Sequence, residues 1–216
     1  MNARVLGSLL VLAACGVTLL AVRFCRSDGP RVDEPVERLR AEVFALEPSA
    51  GAAKVASAAG GMEVFNAAPR DVRGRFIFSL VNPSSAKDDL QRRAEFIDAF
   101  IRQTGQEEDQ VVMGRHATAV AAELWAQAPP GSPVREQMRG ALVFAALHPA
   151  ERMHSTFVGV VAEKTDLLSY PDIRHALEVL AAGPETEYNK KLKIRSNAEY
   201  LLTLTPGSDA YKKKSR

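Results

Sequence analysis

The chain has 216 residues, with 28 Lys plus Arg against 26 Asp plus Glu and a formal net charge of +2. That balance excludes a body that is basic throughout, as a general nucleic-acid or acidic-polymer binder would be. Its two cysteines, Cys15 and Cys25, both lie in or beside an N-terminal apolar run, which leaves the remaining body without a disulfide or a reactive thiolate.

In chain order the first element is that run, Val5 to Val22. It reaches the lower limit for a bilayer span of about 20 residues and exceeds the apolar core of a secretory signal, so residues 1–27 read as a signal peptide or a membrane anchor. Within it, Leu12-Ala13-Ala14-Cys15 resembles a bacterial lipobox, which implies that Cys15 is lipidated and becomes a new N-terminus. The match departs from the usual pattern afterwards, because Gly16, Val17, Leu19, Leu20 and Val22 stay apolar where a lipoprotein begins a polar tether. A single uncleaved transmembrane helix, with Cys15 as a small apolar residue, is the alternative. Arg23, Arg26, Arg31, Arg38 and Arg40 follow the run and favour a cytoplasmic body; the signal-like start favours export. The reading taken is membrane association through residues 5–22, with the body on the exported or periplasmic side.

Residues 28–61 form a tether with one short helix and an Ala/Gly-rich connector. The helix begins near Pro35, carries Val36, Leu39, Val43 and Leu46 on one face, and ends at Pro48. Ser49 to Gly61 is the connector, poor in side chains that can pack. A helical domain follows over 62–205. The segment Arg70 to Val81 alternates like a strand but also repeats at helical spacing, and it reads as a helix because no partner strand is near. Ser85 is the expected N-cap of the next helix, whose stripe is Leu90, Ala94, Ile97 and Ile101, widened by Phe96 and Phe100, with Gly105 as a left-handed stop.

Four more helices follow, over about Asp109–Ala128, from Pro133 to His148, over about Glu151–Thr165, and from Pro171 to Gly183. Their predicted cores are Met113, Val120, Leu124 and Trp125; Val134, Met138, Ala141, Leu142 and Ala145; Phe157 and Val161; and Ile173, Leu177 and Leu180. Ser132 and Pro133 read as an N-cap and first helical residue. A last helix is expected over about Thr186–Leu204, before a basic tail over 206–216.

Three of these helices share a phrase: Arg115-His116-Ala117, Arg139-Gly140-Ala141 and Arg174-His175-Ala176, each leading into further Ala or Leu and then a Pro. Such helices with short Pro-bearing connections resemble those of HEAT-like α-solenoids, although a true repeat recurs at a fixed period and these spacings are 24 and 35 residues. The fold class is therefore all-α, either a helical bundle or a short HEAT-like α-solenoid behind an N-terminal apolar helix.

No residue set specifies a reaction. Gly-x-Ser-x-Gly, phosphate-loop, His-Glu-x-x-His and dinucleotide patterns are missing, so no catalytic residue, cofactor or metal is assigned. Glu151 and His154 share a helical face like half of a di-iron carboxylate site, but no second Glu-x-x-His accompanies them, and a surface pair is the simpler reading. His116 and His175 hold the same place in the echoed phrase and form a candidate binding face. His148 precedes Pro149, where it can meet unpaired helix carbonyls. Lys190, Lys191, Lys193 and Arg195, with Lys212, Lys213 and Lys214, are candidate anion contacts.

Three functional readings follow. The preferred one is a membrane-tethered helical module that binds a protein partner without catalysis. The second is an enzyme or small-molecule binder with a pocket between helices, edged by His116, His175 or Glu123. The third is a peripheral binder of anionic lipid or nucleic acid through the basic end, with no recognised nucleic-acid reading motif beside it.

Overall fold

The computed structural model describes residues 33–44, 61–83, 90–184 and 186–210. Every regular element among them is helical. In order they are α1 (Glu34–Val43), helical residues 61–67, α2 (Arg70–Ser79), α3 (Leu90–Gln103), α4 (Glu108–Gln127), α5 (Pro133–Ala146) and α6 (Glu151–Glu163). A 3₁₀ turn (Thr165–Ser169) then leads to α7 (Pro171–Ala182), α8 (Glu187–Leu192) and α9 (Ile194–Leu202). None of these helices is long and apolar enough to cross a membrane. The apolar run 5–22, Cys15, Leu46, residues 49–60, Ser85 and Lys212–Lys214 lie outside the described residues.

The helical stripes bury the residues their spacing selects. Val36, Leu39 and Val43 of α1, Ala94, Ile97 and Ile101 of α3, and the five predicted core residues of α5 are all buried. Ser132 caps α5 as its position requires, its Oγ accepting the Arg135 N–H at 3.3 Å. The segment over 70–79 is a helix, with Phe76, Ile77 and Leu80 at zero exposure.

Two expectations are corrected. Gly105 does not end α3 in the left-handed region; positive φ among the described residues occurs only at Lys193, Gly131 and Gly207. The chain leaves α3 instead through Thr104, whose hydroxyl donates back to the Phe100 carbonyl, while Gln110 Oε1 accepts the Gly105 N–H at 2.8 Å. The last helix is also not continuous. Lys193 (φ 53°) breaks it into α8 and α9, because the apolar stripe Tyr188 and Leu192 resumes at Ile194, two positions on, and would point to the wrong side of an unbroken helix. The break lets α8 pack on α6 while α9 packs on both α6 and α7, burying Ile194, Ala198 and Leu201.

Packing follows a simple order along the chain. Helix α4 packs on α2, α3, α5 and α6; α5 packs on α3, α4, α6 and α7; α7 packs on α5 and α9. Helix α4 is central, which explains its composition: eleven of its residues are buried, on all sides, and most are small. Gly114 allows the closest approach, since a Cβ there would lie 2.7 Å from Thr104 Cγ2 and 3.1 Å from Met153 Sδ.

The N-terminal part is held by two further devices. Phe44, Phe65, Phe76, Phe96 and Phe100 form one cluster with ring centroids 5.3 to 6.4 Å apart, mostly edge to face. Each such pair contributes about 0.5–1.5 kcal/mol beyond area burial. Beside it the carbonyls at the end of α2 receive three long side chains. Arg40 donates to the Ser79 and Asn82 carbonyls, Arg93 to those of Leu80 and Val81, and Gln127 to that of Val81. One exposed-looking helix end is thus satisfied by groups from α1, α3 and α4.

Residues 206–210, placed by the sequence at the start of a basic tail, fold back on the body. Ala210 is buried and its carbonyl accepts the Tyr200 hydroxyl at 3.1 Å; the Thr165 hydroxyl donates to the Ser208 carbonyl.

Candidate functional site

Three of the four histidines are built into the packing. His148 is 4% exposed at the turn between α5 and α6. Its Nδ1 accepts the Ala150 N–H at 3.0 Å, so Nε2 carries the hydrogen and donates to the Thr104 carbonyl at 2.9 Å. The expectation that His148 meets a helix-end carbonyl is met, but the carbonyl belongs to the end of α3. His154 Nε2 donates in turn to the His148 carbonyl at 2.7 Å. Burial holds the His154 imidazole below its ordinary range, against opposing contributions from that bond and from Glu151.

This geometry leaves Glu151 and His154 engaged apart from one another. Glu151 accepts the Thr186 hydroxyl at 2.7 Å, and His154 is half-buried rather than a surface partner. Among the described residues no group of three His, Cys, Asp or Glu is arranged to hold a metal ion.

His116 and His175 occupy different surroundings. His116 lies half-buried on α4, its ring edge to face with Phe78 at 4.5 Å, and its Nδ1 is buried without a partner. Burial, and secondly the charge of Arg115, lowers its pKa to about 4, so the ring is neutral at pH 7. His175 on α7 is 72% exposed and lies 3.5 Å from Glu178.

Glu123 lines none of the cavities described below, but its ion-pair partner Lys164 lines one. On α4 it pairs with Lys164 at the end of α6 at 2.9 Å, and the two side chains are only 14% and 17% exposed. Breaking one partner of such a pair costs about 3–5 kcal/mol, whereas the intact pair contributes little net stability. Beside it a cavity of about 420 Å³ opens between the ends of α4 and α6, the 3₁₀ turn and residues 207–210. Trp125 forms one wall at 3% exposure, held by the Arg135 guanidinium 4.1 Å over its ring and by Tyr170 edge-on at 6.2 Å. The indole N–H and the Ser208 hydroxyl are both buried and have no partner. Nothing in the periodicity of α4 marks this site, because Trp125 reads there simply as a core residue.

Two other concavities flank the body. A groove of about 570 Å³ runs between α1 and residues 64–72, floored by Leu39, Val64 and Val72 and rimmed by Glu34, Arg38 and Glu42. At the α8–α9 corner a cleft of about 360 Å³ brings together Lys190, Lys193 and Arg195 with Asn189, Ser196 and Glu199. Lys191 is exposed nearby, outside the cleft. Arg195 is bonded to Glu199 at 3.1 Å.

The described residues define an all-α protein. No protein-family model matches the chain, and no curated protein or solved structure matches it.

Proposed function

We propose that the chain is a membrane-tethered protein-interaction module whose body is a short α-solenoid. The carrying observation is a set of three arginines from the echoed phrase. Arg115 of α4 donates to Thr156 of α6 at 3.0 Å; Arg139 of α5 pairs with Asp172 of α7 at 2.9 Å; Arg174 of α7 donates to the Leu202 carbonyl of α9 at 3.4 Å. Each ties its helix to the one two places further along. With α3, α5 and α7 as one layer and α2, α4, α6 and α9 as the other, the Arg115 and Arg139 ties run within a layer and the Arg174 tie joins the two. Stacked helices of this kind present extended faces to other proteins. The apolar run 5–22 supplies the tether, on the exported side.

Fractionation with intact mass tests the tether. Membrane recovery is expected, at full-length mass for a spanning helix, or with the first 14 residues lost and acyl mass added for lipidation at Cys15. The full-length protein freely dissolved after cell breakage would overturn it. Cross-linking in solubilised membranes tests the module, and one partner recovered reproducibly, with cross-links on one layer, is the expected result. No specific partner would count against it.

The α8–α9 cleft supports a second reading, docking on anionic lipid. Three cations face one concavity, and basic groups near a charged bilayer contribute about 1 kcal/mol each. Replacement of Lys190 and Lys193 by Glu should then abolish the preference of the reconstituted chain for acidic over neutral vesicles in a salt-sensitive flotation assay.

A further inference from the structure

The break at Lys193 turns the end of α8 against the first turns of α9 and gathers Lys190, Lys193 and Arg195 around one cleft of about 360 Å³. None of the three is buried, so their charged ends stay open to an incoming group. Arg195 gives its Nε–H to Glu199, which leaves the terminal N–H groups of its planar fork for a ligand. Lys190 and Lys193 pair with no carboxylate among the described residues.

Three cations against the single carboxylate of Glu199 leave two positive charges unmatched in one concavity. Like charges held together repel, and an anion of matching charge removes the repulsion. A phosphate monoester carries about −1.5 to −2 at pH 7 and presents three acceptor oxygens, whereas a diester carries a single charge. The residue at the break points the same way. Glycine adopts φ 53° at least cost, yet the chain places there a lysine whose ammonium is one of the two unpaired cations of the cleft.

We propose that the α8–α9 cleft is a phosphomonoester site, in which the Lys190 and Lys193 ammonium groups and the Arg195 guanidinium hold the free oxygens of the ester. This rests on the reading of the same cleft as an anion-docking surface and narrows that reading to a dianion. A lipid with a terminal phosphate and a soluble phosphate ester share this chemistry, and the test separates them.

The full chain in detergent is titrated by calorimetry with methyl phosphate and with dimethyl phosphate. Methyl phosphate should saturate and bind at least about fivefold more tightly than the diester. Lowering the pH from 7.5 to 5.5 converts most of the monoester to its monoanion, since its second pKa is about 6, and should weaken it about fourfold while leaving the diester unaffected. Lys190→Gln and Lys193→Gly should each weaken methyl phosphate about tenfold. Lys193→Gly relieves the backbone at the break, so lost binding in that variant is not lost fold. Lys191→Gln removes the same charge outside the cleft and should change affinity by less than about twofold. The titration is repeated in phosphatidylcholine nanodiscs carrying phosphatidic acid, a monoester lipid, or phosphatidylglycerol, a diester, at matched charge. Competition from phosphatidic acid alone assigns the lipid as the source; competition from neither assigns a soluble ester, and the lipid reading then falls while the phosphomonoester site stands. The site is overturned if methyl phosphate does not saturate, if dimethyl phosphate binds as tightly, if both lipids compete equally, or if Lys191→Gln weakens binding as much as Lys193→Gly. In each of those cases the vesicle flotation assay still decides the lipid reading by itself.

Discussion

Gly114 and Gly74 are both helical glycines, and their surroundings give opposite expectations for the same substitution. An added methyl at Gly114 would meet Thr104 at 2.7 and 2.9 Å and Met153 at 3.1 Å, where α3, α4 and α6 converge. Overpacking of this kind costs about 1–3 kcal/mol, more than the gain of up to about 1 kcal/mol in helix propensity. At Gly74 the nearest atoms are the end of Met113 at 3.7 and 3.9 Å, ordinary contact distances. Gly114→Ala should therefore lower the urea midpoint, and Gly74→Ala should raise it by an amount equivalent to about 0.5–1 kcal/mol. The buried imidazoles give a second expectation at this scale. Unfolded histidine takes up a proton near pH 6.5, whereas folded His116 does so only near 4 and folded His154 below its usual range, burial being the first cause in both. Above pH 7 neither state binds the proton, and stability is flat in this respect. As pH falls through 6.5 the unfolded state gains protons that the folded state refuses, so stability drops, and the His116 share levels off below about 4. Urea midpoints between pH 7.5 and 5 should fall on acidification, and His116→Phe, which keeps a ring against Phe78, should reduce the slope.

Among the elements, α8 and α9 show how a helix break is written. Lys193 holds φ 53°, a conformation that costs a side-chain-bearing residue about 1–2 kcal/mol and glycine much less. Lys193→Gly should therefore raise stability by about 1 kcal/mol in thermal or urea unfolding, offset in part by the added freedom of the unfolded chain. The phase shift from Leu192 to Ile194 was present in the sequence, and strict 3.6-residue counting reveals it. Most of the helices were legible in the same way, because their apolar stripes are local and their ends carry Ser, Pro and Gly. What local pattern cannot display is the long-range part. Arg40 and Arg93 read as surface charge until α2 ends beside them, and Met62 and Phe65 carry no signal until the aromatic cluster forms around them. The cavity is not legible in the sequence: Glu123, the expected pocket edge, does not line it, and the residues that do, Trp125, Lys164 and Ser208, are far apart in the chain, the last in a segment whose composition suggests only a tail.

At the scale of the whole molecule the question is whether stability is shared or segmental. A stack in which helices contact only near neighbours along the chain behaves as a series of neighbouring units, whereas a single enclosed core unfolds together. The three arginine ties each span two helices, and α9, which packs on α6 and α7, is several helices removed from α2. Mild substitutions at the two ends separate the cases. Ile77 of α2 and Ile194 of α9 are both buried, and trimming either to Val should cost about 1 kcal/mol, equivalent to about a fivefold faster exchange where opening limits it. In hydrogen exchange, Ile77→Val should speed amides in α2 and along α4 while leaving α7 and α9 close to their original rates. Ile194→Val should do the reverse, loosening α9, α7 and the adjoining part of α6. Equal acceleration everywhere from either variant would mean that the ends report on one cooperative unit, and the layered reading of the packing order would then have to give way to a closed bundle.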